Sequence, residues 1–300
     1  MKATVTLLFL CLSLFLLREP VSGQENPAGL FVTEYPREAR YRDSVAAMRI
    51  PELLLPPELR NRQIPPSIDN SRKICWPGIQ DQYQFYTCQQ YAGVTYVFGY
   101  EINRLRNKPG WYWENMYPAH YTWNFMNEGG RYVGVNFLQS FDLIRRQGHM
   151  TMHDYGFDTL TSVLGWQSGY DRYYRGMLNR IKSVRAIVVN GEDGVNTLRN
   201  YLYDHLDGSS TGGVACFTTS SFSLVGMVVL PAGTPLAGHH LVTRWDKDPV
   251  HGLAVVGYND SIRYDINEDG QYTRHLDITG DGIVDMRDWE TGGFRIANSY

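Results

Sequence analysis

The segment that most constrains the fold runs from Gln80 to Ala92 and contains a cysteine at the start of a predicted helix. After that cysteine, side chains of one face recur at steps of three and four, the period of an α-helix; they are Cys88, Tyr91, Thr95, Phe98, Ile102 and Leu105. The helix is predicted to end before Asn107-Lys108-Pro109-Gly110. A thiol in the first turn lies in the positive field of the helix N-terminus, which favours the thiolate. Cys88 is therefore a candidate nucleophile, although a single cysteine is more often a small buried hydrophobe.

Four short motifs resemble, in the same order, the fingerprint of the papain-like cysteine peptidases. Gln82 lies six residues before Cys88, which is the spacing between the family's oxyanion glutamine and its nucleophile. The segment from His251 to Tyr258 reads His-Gly-Leu-Ala-Val-Val-Gly-Tyr and resembles the family's His-Ala-Val-x-x-Val-Gly-Tyr. Asn298-Ser299-Tyr300 resembles its Asn-Ser-Trp-Gly, and the resemblance spans Ile64 to the last residue.

The sequence departs from the family pattern next to the candidate nucleophile. Phe85, Tyr86 and Thr87 stand where the family has Cys-Gly-Ser, and Gln89 replaces the aromatic residue that follows the cysteine. These departures keep open a second interpretation, in which the chain is a catalytically inactive papain-like binding protein.

The resemblance implies a role for each of four residues. Cys88 would attack a peptide carbonyl, and His251 would hold the proton in a thiolate-imidazolium pair and deliver it to the leaving amine. Asn298 would orient the imidazole, while Gln82 and the backbone N–H of Cys88 would donate to the oxyanion. The implied partner is therefore a peptide or protein substrate.

The order of predicted elements favours an α+β chain, with helices early and strands late. A second helix is predicted near residues 136–147, with Gly148 as its C-cap, and a third near 193–206. Short β runs are predicted at 186–189, 214–217, 224–230, 253–257 and 294–297. In the papain-like fold that this order resembles, a helical lobe and a β-barrel-like lobe face each other across an active-site cleft.

The first residues are predicted to be a targeting segment rather than part of the fold. Lys2 precedes an apolar run from Ala3 to Leu17, and Val21-Ser22-Gly23 is a small-residue exit, so residues 1–23 are interpreted as a signal peptide. Residues 24–63 are rich in proline and charge and are interpreted as an N-terminal extension or short pro-segment. The catalytic domain is predicted to span 64–300 in an exported protein with no membrane span after the signal.

Charge and cysteine content exclude some classes of function and leave one question open. A net charge of -3 gives no basic stripe, so nucleic acid is not an expected partner.

Removal of the signal would leave Cys75, Cys88 and Cys216. If Cys88 is the nucleophile, Cys75 and Cys216 could form a disulfide in an oxidising compartment, or all three could be free thiols.

An acidic segment, residues 264–290, is predicted to be an insertion that binds calcium. Asp277, Thr279, Asp281, Asp285 and Asp288 occupy positions 1, 3, 5, 9 and 12 of an EF-hand-like loop, with Gly282 at position 6 and the Ile283 carbonyl at position 7. A first loop starts twelve residues earlier with Asp265, Asn267 and Asp269, but has Leu276 at position 12. The pair resembles the tandem calcium loops of thrombospondin-type or dockerin-like repeats. A polar turn cluster without a cation is the alternative.

The resulting prediction is an exported papain-like cysteine peptidase, endopeptidase or exopeptidase, with a calcium-stabilised insertion and no organic cofactor. Besides the inactive binding protein, a calcium-dependent structural or adhesion module is a possible interpretation. The nucleophilicity of Cys88 distinguishes the peptidase from both alternatives.

Overall fold

The computed structural model describes residues 50–156, 164–189, 191–219, 226–243 and 251–299, together with the backbone of Val5–Cys11. The helices are α1, which consists of the consecutive segments Cys88–Gln90, Tyr91–Phe98 and Gly99–Arg106, then α2 Ala119–Asn124, α3 Phe137–Gln147, α4 Met152–Tyr155, α5 Tyr170–Gly176 and α6 Glu192–Asp204. Short 3₁₀ turns span Pro57–Leu59 and Asn70–Arg72. The strands are β1 Val5–Cys11, β2 Ser67–Asp69, β3 Ile181–Val188, β4 Ala215–Thr219, β5 Met227–Val229, β6 His240–Val242, β7 His251–Arg263 and β8 Thr291–Ala297. The predicted mixture of helices and strands is confirmed.

The main sheet is organised around the long strand β7. Its strand order is β2-β7-β4-β1-β3, and β8 also pairs with β7. β7 is antiparallel to β2, β4 and β8, whereas β1 is parallel to both β3 and β4. Among the described strands this path is open and does not close into a barrel, so the barrel-like lobe and the two-lobe arrangement stay predictions.

The first helix, α1, differs from the amphipathic helix that its sequence predicts. Every side chain from Tyr91 to Asn103 is buried, while Leu105, which was expected on the buried face, is 42% exposed. The helix lies between β7 and α3, so it has no solvent-facing side over most of its length. Its middle segment, Tyr91–Phe98, is π-helical, and this wider winding shifts the positions that follow it.

Helix α3 follows its sequence signals closely and packs directly on α1. The Asn136 side chain caps it by accepting a hydrogen bond from Leu138 N at 2.9 Å, and Gly148 ends it with φ of 83°. The two helices approach closely at Gly93, where an added Cβ would lie 2.5 Å from Phe137 Cβ. Only glycine permits this contact, which brings the aromatic face of α3 onto α1.

The remaining predicted elements are present with shifted ends. The run 186–189 lies largely within the longer β3, and the helix predicted near 193–206 is α6. The runs at 214–217, 253–257 and 294–297 fall largely or wholly within β4, β7 and β8. These strands are longer than the runs because β7 pairs with both β4 and β8. Of the run 224–230, residues 227–229 form β5, and 224–225 lie outside the described residues.

Most of the predicted signal peptide and extension lies outside the described residues. Of residues 1–49, only the backbone of β1 is described, and it lies between β3 and β4. Residues 50–63 contact β3 and α6: Glu52 forms a β-bridge with Ala186, and Arg62 forms an ion pair with Asp204 at 2.6 Å. The signal peptide and the domain boundaries therefore stay predictions. No helix in the described ranges is long and apolar enough to cross a membrane.

The structure shows whether Cys75 and Cys216 form a disulfide. Cys75 and Cys216 are both buried in the core, and Cys75 carries a free thiol. The possible Cys75–Cys216 disulfide is therefore not formed in this structure. Burial raises the pKa of the Cys75 thiol to about 11, so it is an unreactive core residue.

Candidate active site

Cys88 is half-buried at the first residue of α1, as its sequence predicts. Burial raises the pKa of the Cys88 thiol, and a backbone hydrogen bond from Gly252 opposes this shift without cancelling it. The helix N-terminus therefore does not supply a thiolate by itself. A nucleophilic Cys88 needs a neighbouring base that takes its proton.

His251 is the first residue of β7 and is buried beside β4, where it pairs with Thr219. Its Nε2 atom lies 2.8 Å from Asn298 Oδ1. Burial lowers the pKa of His251, and the bond to Asn298 partly opposes that shift. Burial thus favours the neutral form of each side chain taken separately, and the thiolate-imidazolium pair stays a prediction.

A backbone-to-backbone contact brings the start of α1 against the start of β7. A Cβ added to Gly252 would lie 2.5 Å from Gln89 Cα and 2.9 Å from Gln89 N. The residues after Cys88 and after His251 therefore touch each other, which brings the main chain at the two candidate catalytic residues close together. Glycine at 252, where the family has alanine, is what this approach requires.

The dipeptide Asn298-Ser299, just after β8, contacts both His251 and Gln82. Asn298 holds His251, while Ser299 Oγ donates to Gln82 Oε1. Gln82 N also donates to Ser299 O at 2.8 Å, and Gln82 Nε2 donates to Phe85 O at 2.9 Å. The structure thus brings Gln82, His251 and Asn298 into one bonded set next to Cys88. Sequence reasoning did not assign a role to Ser299 or Gly252, although both lie inside the motifs.

The two acidic loops share one pattern of hydrogen bonds. The Asp265 carboxylate accepts from Asp269 N and Gly270 N, and the Asp277 carboxylate accepts from the backbone N–H groups of residues 280, 281 and 282. The glycines at position 6 have positive φ, 79° at Gly270 and 84° at Gly282. Asn267, Thr279 and Ile283 lie in the turns, where Asn267 Nδ2 donates to Asp269 and Ile283 N donates to Asp281.

Each loop is closed by a buried carboxylate. Asp288 accepts from Thr279 N at 2.8 Å and from Asp285 N at 2.9 Å. Glu290, 2% exposed, does the same for the first loop by accepting from Ile266 N at 2.8 Å and Thr273 N at 2.9 Å. Sequence reasoning missed Glu290 because it lies well beyond position 12 of its loop, where Leu276 stands.

The acidic side chains do not converge on one point. Within the described ranges, no three His, Cys, Asp or Glu side chains form a group that could hold a metal ion. The Arg287 guanidinium lies 2.6 Å from Asp281 and 2.7 Å from Asp285, and these carboxylates raise the pKa of Arg287. The donors are nevertheless all oxygen atoms on glycine-containing turns, which is the chemistry that Ca²⁺ prefers.

No protein-family profile matches the sequence, and no curated protein matches it. Among similar solved structures is digestive procathepsin L 3 of Tenebrio molitor larval midgut, with 13% identity, a TM-score of 0.44 and coverage of 74% of this chain and 64% of that one. Another is xylellain, a cysteine protease from Xylella fastidiosa, with 11% identity, a TM-score of 0.47 and coverage of 72% and 77%. A third contains the cysteine protease and lectin-like domains of Cwp84, a surface layer associated protein of Clostridium difficile, with 10% identity, a TM-score of 0.40 and coverage of 89% and 53%.

The structural neighbours are thus cysteine proteases, but the likeness is remote. This chain spans less than two thirds of the Tenebrio and Clostridium chains. Identities of 10–13% do not carry an activity from one protein to another.

Proposed function

We propose that this protein is an exported papain-like cysteine peptidase whose cleft lies between the helical part that carries Cys88 and the strands that carry His251. The main support is the bonded set in which Asn298 contacts His251 and Ser299 contacts Gln82. Residues distant in sequence meet here with the chemical types that thiol-based acyl transfer needs.

In this mechanism Cys88 Sγ transfers its proton to His251 and attacks the carbonyl carbon of a peptide bond. A C–S bond forms, and the carbonyl π electrons move to oxygen, where Cys88 N–H and the Gln82 side-chain amide donate hydrogen bonds. His251 then gives its proton to the leaving nitrogen as the C–N bond breaks. Water, deprotonated by His251, attacks the acyl-enzyme, and the C–S bond breaks to release the acid and restore the thiol.

Calcium binding by the acidic loops is the second part of the proposal. The ligands would be the side chains of the first loop, Asp265, Asn267, Asp269 and Glu290, and those of the second, Asp277, Thr279, Asp281, Asp285 and Asp288, with the Ile283 carbonyl. A bound cation would neutralise these crowded carboxylates. The loops connect β7 to β8, so ordering them would stabilise the strands that carry His251 and precede Asn298.

Export is proposed from the apolar run after Lys2 and the small-residue exit at residues 21–23. N-terminal sequencing of the protein recovered from a secreting host would test it. A mature chain that begins at Gln24, and therefore lacks β1, is expected, and retention of the apolar run would contradict export.

Covalent labelling of the calcium-loaded protein with an epoxide that reacts with activated thiolates tests the peptidase proposal. Stoichiometric labelling at Cys88 is expected, abolished by Cys88→Ala and strongly slowed by His251→Ala. Cys75 and Cys216 are internal controls, because both are buried and should be labelled only after denaturation.

Two alternatives predict a different result. Folded protein that is not labelled would favour a catalytically inactive binding protein. A calcium-dependent structural or adhesion module would bind its partner unchanged after Cys88→Ala.

A further inference from the structure

The hydroxyl of Tyr96 joins two main-chain segments of the candidate site. Tyr96 lies in the π-helical part of α1 and is 1% exposed. Its Oη accepts from Gln80 N at 3.1 Å and lies 3.2 Å from both Gln80 O and Asn298 O. A phenol has one proton, so the two carbonyl oxygens share a single donor. The hydroxyl therefore holds three backbone atoms within reach of one oxygen.

The two segments are those that carry the oxyanion donor and the imidazole-orienting amide. Gln80 lies two residues before Gln82, and Asn298 holds His251 through its side chain. A second tie follows directly, because Gln82 N donates to Ser299 O at 2.8 Å. Tyr96 Oη and this backbone bond together set the separation and register of the two segments.

The ring that carries this hydroxyl is held firmly. Tyr96 stacks on Trp76 with ring centroids 5.1 Å apart and an interplanar angle of 25°, and Tyr91 packs on it at 6.3 Å. Aromatic side chains packed in this way have little freedom to move. π-Helical turns occur frequently at functional sites, and Tyr96 lies within one.

We propose that Tyr96 is a positioning residue of the peptidase site, which keeps the Gln82 segment in register with Asn298 without contacting the substrate. The inference rests on the proposed function. It goes beyond it because none of the motifs that define the site contains Tyr96. Its hydroxyl acts through Gln82 and Asn298, so its removal affects catalysis only while these two side chains are present.

Tyr96→Phe removes the hydroxyl and keeps the ring, and Tyr100→Phe is the matched control. Tyr100 lies one turn further along α1, is equally buried and also contacts Trp76, but its hydroxyl donates to Gly212 O, away from the site. The assay is steady-state cleavage of a quenched fluorescent peptide that the wild-type protein cleaves. For Tyr96→Phe, kcat is expected to fall about tenfold with KM within about twofold. Tyr100→Phe should leave both constants unchanged.

A double-mutant cycle separates positioning from general stability. In the Gln82→Ala and Asn298→Ala backgrounds, Tyr96→Phe should lower kcat by less than about twofold in each, because the group it positions is missing. An unchanged kcat for Tyr96→Phe, or the full tenfold loss in either background, would overturn the role of Tyr96 alone. Wild-type protein that neither cleaves peptides nor labels at Cys88 would overturn the proposed function and this role with it.

Discussion

Asn298 Oδ1 lies 2.8 Å from His251 Nε2, and this bond joins the first residue of β7 to the residue that follows β8. The two strands pair antiparallel, with Ala254 opposite Ala297, so their register brings His251 and Asn298 together. The bond occupies Nε2, so the proposed proton exchange with Cys88 would use Nδ1. The long connection between the strands does not disturb this pairing, because it lies at their other end.

Asn298→Ala should lower kcat/KM by about tenfold, the equivalent of one hydrogen bond of about 1.4 kcal/mol. The bond to Asn298 raises the pKa of His251, whereas burial lowers it. Without Asn298 the imidazolium is lost at a lower pH, so the alkaline limb of the pH profile of kcat/KM should move to lower pH. Asn179→Ala is the control, because Asn179 is buried but contacts His149 and Arg106 instead. An alkaline limb that stays in place would contradict this role.

Gln82→Ala should impair catalysis without abolishing it. Losing one oxyanion donor costs about 3 kcal/mol of transition-state stabilisation, or roughly a hundredfold in kcat. Ser299→Ala should have a smaller effect of about tenfold, because Ser299 acts by orienting the Gln82 amide. In the Gln82→Ala background, Ser299→Ala should therefore add almost nothing. If kcat of the double variant fell by the product of the two single losses, Ser299 would act independently of Gln82.

Gly252→Ala should separate the two candidate catalytic residues. The new Cβ would lie 2.5 Å from Gln89 Cα, and backbone atoms cannot yield without moving the start of α1 away from β7. Overpacking of this kind costs about 1–3 kcal/mol of stability, and the rate of Cys88 labelling should fall at least tenfold. Gly134→Ala is the control, because no atom lies within 4 Å of its added Cβ. Normal labelling of Gly252→Ala would show that this contact does not set the Cys88–His251 geometry.

The sequence predicts the site better than it predicts the connections that support it. The motifs around Gln82, Cys88, His251 and Asn298 identify these residues through their resemblance to the papain-like peptidases, and the structure brings three of them into one bonded set beside the fourth. Tyr96 was missed because its partner Asn298 is distant in sequence, and Glu290 because it lies beyond position 12 of its loop. Periodicity also placed Leu105 on a buried face, since a single period cannot describe a helix that is enclosed on all sides and partly π-helical.

Glu101 should make the fold sensitive to acid. This carboxylate of α1 is 1% exposed and accepts from His205 Nε2 at 2.9 Å, Tyr201 Oη at 3.1 Å and Arg104 Nε at 3.2 Å. Burial raises the pKa of Glu101, but His205 and Arg104 outweigh it and the pKa is lowered overall. A lowered carboxyl pKa stabilises the fold above the unfolded-state pKa of about 4.3, and this stability is lost as pH falls below that value.

Glu101→Gln should therefore lower the free energy of unfolding near neutral pH by about 3–5 kcal/mol, because it leaves the Arg104 guanidinium without its counter-charge. The difference between variant and wild type should shrink as pH falls below about 4, measured by urea unfolding at several pH values. Glu58→Gln, at an exposed carboxylate, is expected to change stability by less than about 0.5 kcal/mol. A difference that does not depend on pH would contradict the charged state of Glu101.

Calcium should stabilise the acidic loops and, through them, the site. At a calcium concentration about 100 times Kd, binding contributes about 2.7 kcal/mol, which for a chain of this size raises Tm by roughly 4–5 °C. Asp277→Asn should reduce this increase, because the Asp277 carboxylate organises the turn at residues 280–282. Glu290→Gln should do the same for the first loop, because an amide has one acceptor oxygen for the two N–H groups that the carboxylate accepts.

The same variants distinguish a structural cation from a polar turn cluster. In wild-type protein a chelator should slow epoxide labelling of Cys88, because β7 and β8 lose the ordered connection between them. Asp277→Asn should label slowly with or without the chelator, whereas Asp193→Asn, on α6 and outside the loops, should behave as wild type. If Tm and labelling of wild-type protein are identical in calcium and in chelator, Arg287 and the backbone N–H groups suffice to neutralise the carboxylates, and the loops are turns without a cation.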